Sequence, residues 1–376
     1  GRYKCCAGGI PLKNKEFSPI PRTEHTREIT GGVLVTPTKG MMEFDTTRES
    51  DKGYCLFRTG FDKYLLDLAH DAGAEIRYNF RVKEVNPSAN HIIIKGPQEF
   101  QAECVIIATG IGGAILQRRL GLEVPPIVNA VQAEISMPES IIEEHFGNRV
   151  WEFFDRSIVG HGISWAFPKR DAVSIGVLGD GVKKKNLDRF MNLPIIKSRI
   201  EGHKMMEFSG RKIWAAPIPD AIIKKPYRER IMVIGDACGT ADPILYEGIY
   251  QARLTGRLAA TQFCKSYEIN DFSENSLANY HQMLLDQLYN DESRYAYKFH
   301  HLLFHSNLLE KLIDATYSLA QEDPLMKDAI IALFSGTQTR KQIWEQMMKR
   351  KWKLVKKLGL KSSLRLIPTL IKASRI

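Results

Sequence analysis

Several features that announce a function directly are missing from this chain. Its six cysteines, Cys5, Cys6, Cys55, Cys104, Cys238 and Cys264, contain no CxxC and no regular spacing. That excludes the usual zinc and disulfide frameworks, so no metal is expected, and a reducing cytoplasm is the simplest setting. The longest charge-free apolar stretch, Cys104 to Gln117, is too short and too glycine-rich to cross a bilayer, and no signal pattern opens the sequence, so an integral membrane protein is not expected. His301 and His305 are four apart, but no glutamate follows the first, which removes the zinc-protease pattern. A dinucleotide fingerprint also fails: Thr109-Gly110 is followed by Gly112 and Gly113, but Ile115 stands where the last glycine belongs.

Negative charge is missing from one place in particular. The formal net charge is +10. Ten cations, Lys349, Arg350, Lys351, Lys353, Lys356, Lys357, Lys361, Arg365, Lys372 and Arg375, fall in a tail with no acid after Glu345, which leaves the body near neutral. The tail interleaves Trp352, Leu354, Val355, Leu358, Leu360, Leu364, Leu366 and Ile367 with those cations. Such a segment can lie in a membrane interface, apolar side down and cations toward anionic headgroups. A solvated basic helix or an RNA contact fits the charge equally, yet RNA gives the aliphatic stripe no role. The expected partner is therefore an anionic membrane surface rather than nucleic acid.

What is present is the composition of a globular protein, 44% hydrophobic and 26% charged over 376 residues, long enough for two or three domains. The stretch Ile231 to Ala260 organises the rest. Ile231-Met232-Val233-Ile234 reads as a strand buried on both faces, and Gly235-Asp236 ends it with a carboxylate at the edge where ligands of open α/β sheets bind. Small residues, Pro243 and Gly248 then lead into an apolar helix near Ile249, whose first N–H groups and dipole favour negative charge. A flavin suits this arrangement, with Asp236 accepting from ribityl hydroxyls and the helix start stabilising the reduced ring. A plain strand-to-helix crossover with a solvated Asp236 has the same pattern.

Upstream, Lys4-Cys5-Cys6-Ala7-Gly8-Gly9 is a small-residue loop, in which Cys6 is either a reactive thiol or a buried apolar side chain. Strands are expected at Gly32 to Val35 and Tyr54 to Phe57, then a helix over Phe61 to Ala69 closed by Gly73. Glu75 to Arg81 and His91 to Lys95 alternate as antiparallel strands do. Cys104 to Ala108 reads as a second fully buried strand, so one parallel sheet is visited twice. Between the visits, Ala130 to Ser136, Trp151 to Phe154, Gly162 to Phe167 and Ala172 to Leu178 alternate, which predicts an inserted antiparallel domain. Trp165 and Phe167 share one face, as core or as the wall of an apolar tunnel. After Thr261 the spacing is helical.

Four separated matches make the sequence resemble the geranylgeranyl reductase family, FAD-dependent enzymes of the p-hydroxybenzoate hydroxylase group. They are Lys4-Cys5-Cys6-Ala7-Gly8-Gly9, Arg58 through Phe61-Asp62, Trp165-Ala166-Phe167-Pro168-Lys169, and Gly235-Asp236-Ala237-Cys238-Gly239 through Pro243 to Glu247-Gly248-Ile249. The resemblance implies an α/β fold: a Rossmann-like FAD-binding domain with an inserted antiparallel substrate sheet and a C-terminal helical region. The expected segments are FAD-binding parts at 1–122 and 220–262, a substrate domain at 123–219, helices at 263–340 and the basic tail at 341–376.

The same resemblance implies roles. Asp236 would contact the ribityl chain, Gly248 and Ile249 the isoalloxazine, and Arg58 the FAD, with Thr109, Gly110 and Pro243 completing the cofactor set. Cys6, Gly8 and Gly9 would lie where the substrate alkene arrives, and Trp165, Phe167 and Pro168 would line the prenyl pocket. Candidate proton donors are Cys6, Tyr246 and His161, and electrons would come from NADPH or a ferredoxin-type protein. Family chains open with a strand, GxGxxG and a helix for the FAD pyrophosphate. The sequence at hand begins downstream of that unit, and weakened FAD binding is the corresponding expectation. Tyr246 stands where the family usually has glycine. The activity implied is reduction of carbon–carbon double bonds in geranylgeranyl chains, in a cytoplasmic enzyme peripheral to the membrane. The alternatives are a flavin monooxygenase and a catalytically silent lipid-binding protein.

Overall fold

The strand pattern of Ile127–Ser136 puts Val131, Ala133 and Ile135 on one face and Gln132 and Glu134 on the other. That split organises the larger of two compact units in the computed structural model, which describes residues 3–46, 48–88 and 90–376. This unit comprises residues 1–67, 128–216 and 295–376, and the second comprises 68–127 and 217–294.

The larger unit is built on an eight-stranded sheet. Its order runs Lys204–Met205, Ile127–Ser136, Ala172–Gly179, Gly162–Pro168, Arg149–Phe153, Gly31–Thr36 and Gly40–Asp45, with Ile213–Pro219 also beside Ile127–Ser136. All the neighbouring pairs described along this order are antiparallel except one: Gly31–Thr36 runs parallel to Arg149–Phe153, with Val33 opposite Trp151. That pairing draws the N-terminal segment into the same unit as the antiparallel strands, whereas the sequence placed all of 1–122 in a FAD-binding part. A long-range strand pair of this kind leaves no local trace in the sequence.

One face of the sheet carries Val131, Ala133, Ile135, Val173, Ile175, Val177 and Ala166 against Ile142, Phe146, Leu187, Phe190 and Ile196 of three short helices. Helix Lys184–Met191 buries Leu187 and Phe190 there, a contribution of about 3–6 kcal/mol for two fully buried side chains. On the opposite face Leu34, Met42, Phe44 and Ile163 pack on Phe304, Leu309, Leu319, Met326 and Ile330 of the C-terminal helices. The same face carries Gln132, Glu134, Ser174, Trp165 and Phe167 further along the sheet.

In the second unit Ile231–Val233 and Val105–Ile107 are parallel neighbours, Ile231 opposite Val105 and Val233 opposite Ile107. Helix Ile249–Glu268 is pinned to the first strand where the Gly235 N–H donates to Thr255 Oγ1 at 3.0 Å. The buried Tyr280 hydroxyl donates to the Val233 carbonyl at 2.7 Å, and burial pushes that phenol well above its usual range.

Two strand expectations are corrected here. Glu75 to Arg81 is not a strand: Asn79 takes a left-handed φ of 55° and Tyr78 is exposed, and the antiparallel meander runs instead through Glu84–Pro87, Ile92–Lys95 and Glu99–Ala102. Val105–Ile107 is an edge strand of its three-stranded sheet, so Ile106 is 39% exposed rather than buried on both faces. Alternation and apolarity report a strand's faces, not whether a neighbour covers them.

Candidate functional site

Residues singled out in the sequence collect in two places, one in each unit. In the second unit the two parallel strands deliver Thr109-Gly110 and Gly235-Asp236 to the same sheet edge. A Cβ placed on Gly110 would stand 4.0 Å from the Asp236 Cβ, and one on Gly248 would stand 3.1 Å from the Asp236 Oδ1. Gly110, Asp236 and Gly248 thus form a bare, close-set cradle. Thr109 lies over Gly113, where an added Cβ would meet Thr109 Oγ1 at 1.8 Å.

Gly248 is the N-cap of helix Ile249–Glu268, whose 20 residues give a full macrodipole end at the cradle. Glu247 Oε1 accepts the Tyr250 N–H at 2.8 Å, so that first-turn donor is already satisfied. Among the described residues the Asp236 carboxylate has no hydrogen-bond partner, and it is half-buried. A half-buried acceptor without a donor, beside two glycines and a helix N-terminus, can receive hydroxyl donors and neighbouring negative charge.

The approach to this helix is held by Asp242, whose Oδ1 accepts the Ile244 N–H at 2.8 Å and the Leu245 N–H at 3.1 Å across Pro243. Pro243 therefore shapes the turn. Tyr246 follows with a φ of 53°, in the left-handed region that favours glycine. Its hydroxyl donates to Asp220 Oδ1 at 3.0 Å. The tyrosine keeps the backbone shape a glycine would adopt and holds its side chain on Asp220.

In the larger unit the Cys6 loop, Arg58 and the aromatic strand come together. Arg58 opens helix Arg58–Asp71. Its Nε donates to Asp62 Oδ1 at 2.8 Å and its Nη1 to Cys6 Sγ at 3.8 Å. The carboxylate and the sulfur keep this guanidinium's pKa raised against its burial, which acts to lower it. Gly8, at φ 82°, lies so close to the Leu56 carbonyl that a Cβ would stand 1.9 Å from that oxygen, and the Leu56 N–H returns a hydrogen bond to Gly8 at 3.1 Å. Gly9 lies on the ring of Phe167, 2.9 Å from where its Cβ would be. Trp165 and Phe167 share one face of strand Gly162–Pro168, across from Gly176 and Ser174. Pro168 falls on the other face by the strand's alternation, so its side chain does not join the Trp165–Phe167 wall.

His161 is corrected as well. It precedes the same strand but at the far end from Phe167, about 20 Å away at six residues of strand rise, with its ring 5.5 Å from that of His305. It does not join Cys6. Spacing along a strand, rather than nearness in the sequence, decides which end a side chain serves.

Sequence reasoning missed a buried polar group beneath the Cys6 loop. Lys169 and Glu134 are 0% and 1% exposed and form an ion pair at 2.9 Å. Tyr3 donates to Glu134 Oε1 at 3.1 Å, and the Gln132 amide donates to the Tyr3 hydroxyl at 2.6 Å and to the Cys6 carbonyl at 3.3 Å. Lys169 Nζ also lies 4.8 Å from the ring centre of Phe57. A readable signal existed: Gln132 and Glu134 are the only polar residues between Ala130 and Ile135, and they alternate onto one face. Cys5 donates to the Trp214 carbonyl at 3.7 Å, and burial pushes its thiol up to about 12.

Among the described residues no cluster of histidine, cysteine or carboxylate side chains could hold a metal ion, and no helix is long and apolar enough to cross a membrane. The fold and cradle can be set beside known proteins. No family model matches the chain. It is 29% identical over 320 residues to a digeranylgeranylglycerophospholipid reductase of Methanocaldococcus jannaschii, covering 82% of this chain and 78% of that protein. A reductase of the same name from Methanococcus vannielii is 29% identical over 290 residues, covering 73% and 70%. Among solved structures, a geranylgeranyl bacteriochlorophyll reductase-like protein from Thermoplasma acidophilum superposes with a TM-score of 0.70 at 20% identity, covering 94% of this chain and 88% of that one. A flavoprotein/dehydrogenase from Cytophaga hutchinsonii gives a TM-score of 0.70 at 16% identity, covering 98% and 90%. The chain therefore has the α/β fold of these two structures.

Proposed function

We infer that this chain belongs to the geranylgeranyl reductase family, and we propose that it reduces carbon–carbon double bonds in the geranylgeranyl chains of membrane ether lipids with FAD as cofactor. The observation that carries the reading is the cradle of Gly110, Asp236 and Gly248 at the start of helix Ile249–Glu268, in a chain whose relatives carry the name of one activity. A Cβ at either glycine would narrow the space beside Asp236. The unpartnered carboxylate suits ribityl hydroxyls, and the helix end suits the negative charge of a reduced ring.

When bound and reduced, FAD supplies the hydride. The chain's own residues do the rest. Asp236 would accept from the ribityl hydroxyls, and the N–H groups at Gly248 and Ile249 would stabilise negative charge on the reduced ring. Trp165 and Phe167 give an isoprenoid an apolar wall, so that positioning supplies most of the rate. A proton must reach the second alkene carbon. The Cys6 thiol carries it, held by Arg58 on a loop that Gly9 seats against Phe167. The Tyr246 hydroxyl is engaged with Asp220. NADPH or a ferredoxin-type protein serves as electron donor.

The tail supports attachment to an anionic membrane. Helix Leu360–Ser374 packs Leu366 and Leu370 inward, with Leu302, Leu308 and Trp344. Leu360, Leu364, Ile367 and Ile371, spaced along one helical face, are 73%, 57%, 47% and 50% exposed. Lys361, Arg365, Lys372 and Arg375 lie on the same helix or just past its end. Each cation near an anionic surface contributes about 1 kcal/mol.

The test is incubation of the purified chain with FAD, dithionite and a geranylgeranyl ether lipid, followed by mass analysis. The expected product gains two hydrogens for each bond reduced. Oxygen incorporated into the product under air would establish a monooxygenase instead. A chain that stays colourless and leaves the lipid unchanged would overturn the enzyme reading.

A further inference from the structure

The Gln132 side chain is fully buried, and one end of it is badly served. Its Nε2 donates to the Tyr3 hydroxyl at 2.6 Å, to Glu134 Oε1 at 3.2 Å and to the Cys6 carbonyl at 3.3 Å. Its Oε1 is buried and meets no donor among the described residues, and an unpaired buried acceptor destabilises a fold. Turning the amide over repairs nothing. Oε1 would then face the Glu134 carboxylate and the Cys6 carbonyl, both acceptors, while the Tyr3 hydroxyl is already given to Glu134 Oε1 at 3.1 Å. Glu134 in turn is fixed by Lys169 Nζ on its Oε2 at 2.9 Å. The buried ion pair therefore sets which way the amide points, and it points at the Cys6 loop.

Two of the three acceptors do not need Gln132. Tyr3 and Glu134 keep each other, and Glu134 keeps Lys169. The Cys6 carbonyl has no other donor among the described residues. An apolar side chain of similar length would fill the site, remove the orphan acceptor and cost that one bond. We propose that Gln132 is a positioning residue for the reduction: its amide, locked by the Glu134–Lys169 pair, holds the Cys6 backbone so that the thiol is aimed at the alkene carbon it protonates. This role rests on the prenyl-reductase reading with Cys6 as proton carrier. The flanking residues are held elsewhere, Cys5 on the Trp214 carbonyl, Gly8 on Leu56 and Gly9 on Phe167. Cys6 itself is held by Arg58 at its sulfur and Gln132 at its carbonyl, so losing the second leaves the thiol on a single tether.

The experiment compares the full-chain parent, Gln132→Met, Cys6→Ala and the double variant by thermal melting and by turnover with FAD, dithionite and a geranylgeranyl ether lipid. Gln132→Met should melt with the parent and keep its flavin absorbance, since Gly110, Asp236 and Gly248 belong to the other unit. Its kcat should fall by on the order of tenfold or more with KM unchanged, and the solvent deuterium isotope effect on kcat should rise as protonation slows. In the Cys6→Ala background the same substitution should change kcat by less than about twofold, because no thiol is left to aim. A kcat equal to the parent's, or an undiminished loss without Cys6, would overturn the proposal alone. So would a Gln132→Met protein that melts far below the parent or fails to fold, which would make the amide a structural bond. Cys6→Ala protein with the parent's kcat overturns the thiol's role and the positioning with it, and leaves the reductase reading standing. Parent protein that reduces no lipid overturns that reading and this proposal together.

Discussion

Replacing Lys169 by Met tests the network under the Cys6 loop most severely. The pair with Glu134 is almost wholly out of water, at 2.9 Å. Two unit charges at that distance attract by about 6 kcal/mol at an effective dielectric of 20, which desolvation of both ions largely cancels. Removing one partner keeps the cost and loses the attraction. Lys169→Met leaves the Glu134 carboxylate with only the neutral donors Tyr3 and Gln132, worth about 1 kcal/mol each. The expected destabilisation is about 3–5 kcal/mol. Glu134→Gln strands the ammonium against Phe57 and should cost a similar amount. Together the two substitutions remove both charges while the glutamine oxygen still accepts from Tyr3, so the double variant should lie within about 1–2 kcal/mol of the parent. Thermal melting reads this directly: a unit of this size shifts about 2–4 °C per kcal/mol. Each single variant should fall by roughly 6–20 °C, and the double by far less. A double variant as unstable as either single, or singles that melt with the parent, would refute the coupling.

Three further outcomes are expected. Asp236→Ala should abolish the flavin spectrum of FAD-loaded protein without moving the melting of the larger unit, because the Asp236 carboxylate makes no hydrogen bond among the described residues; retained flavin would remove it from the cofactor set. Serine at Leu364, Ile367 and Ile371 should release the protein from vesicles containing anionic phospholipid, and added salt should weaken binding of the parent; unchanged binding would discard the membrane face. Hydrogen bonds from Lys353 and then Arg350 hold the Asp323 carboxyl below the ordinary carboxylate range against its partial desolvation. A depressed pKa means stabilisation present above the unfolded value and lost as pH falls through the folded one. Protection of helix Lys351–Leu358 against hydrogen exchange, taken relative to the intrinsic rate at each pH, should therefore persist at neutral pH and fall only in acid, below about pH 4, and Asp323→Asn should lower it at pH 7.

The parts legible in the sequence are those in which cause and effect are close along the chain. Asp236, Gly248 and the helix start lie within fourteen positions, so strand, turn and dipole could be read together. Alternation along Ala130 to Ser136 and Gly162 to Phe167 likewise gave the strands and the shared face of Trp165 and Phe167. The contact of Arg58 with Cys6, the burial of Lys169 against Glu134 and the bond of Gln132 to the Cys6 carbonyl join residues from separate strands and loops. No local pattern encodes such distances. His161 shows the converse: four positions from Trp165 in the sequence, it serves the opposite end of the strand.

Local propensity and periodicity thus determined most strands and helices, Glu75 to Arg81 excepted, where a carboxylate leaves the sheet, and that the tail is basic and amphipathic. Tertiary packing decided which faces meet. It drew the N-terminal segment onto the antiparallel sheet through a parallel pair, left Ile106 on an open edge, and turned the tail's Leu366 inward and its Leu364 outward. Those choices depend on what lies across the ladder or over the helix, where burial of apolar area and pairing of charge act between residues far apart in sequence.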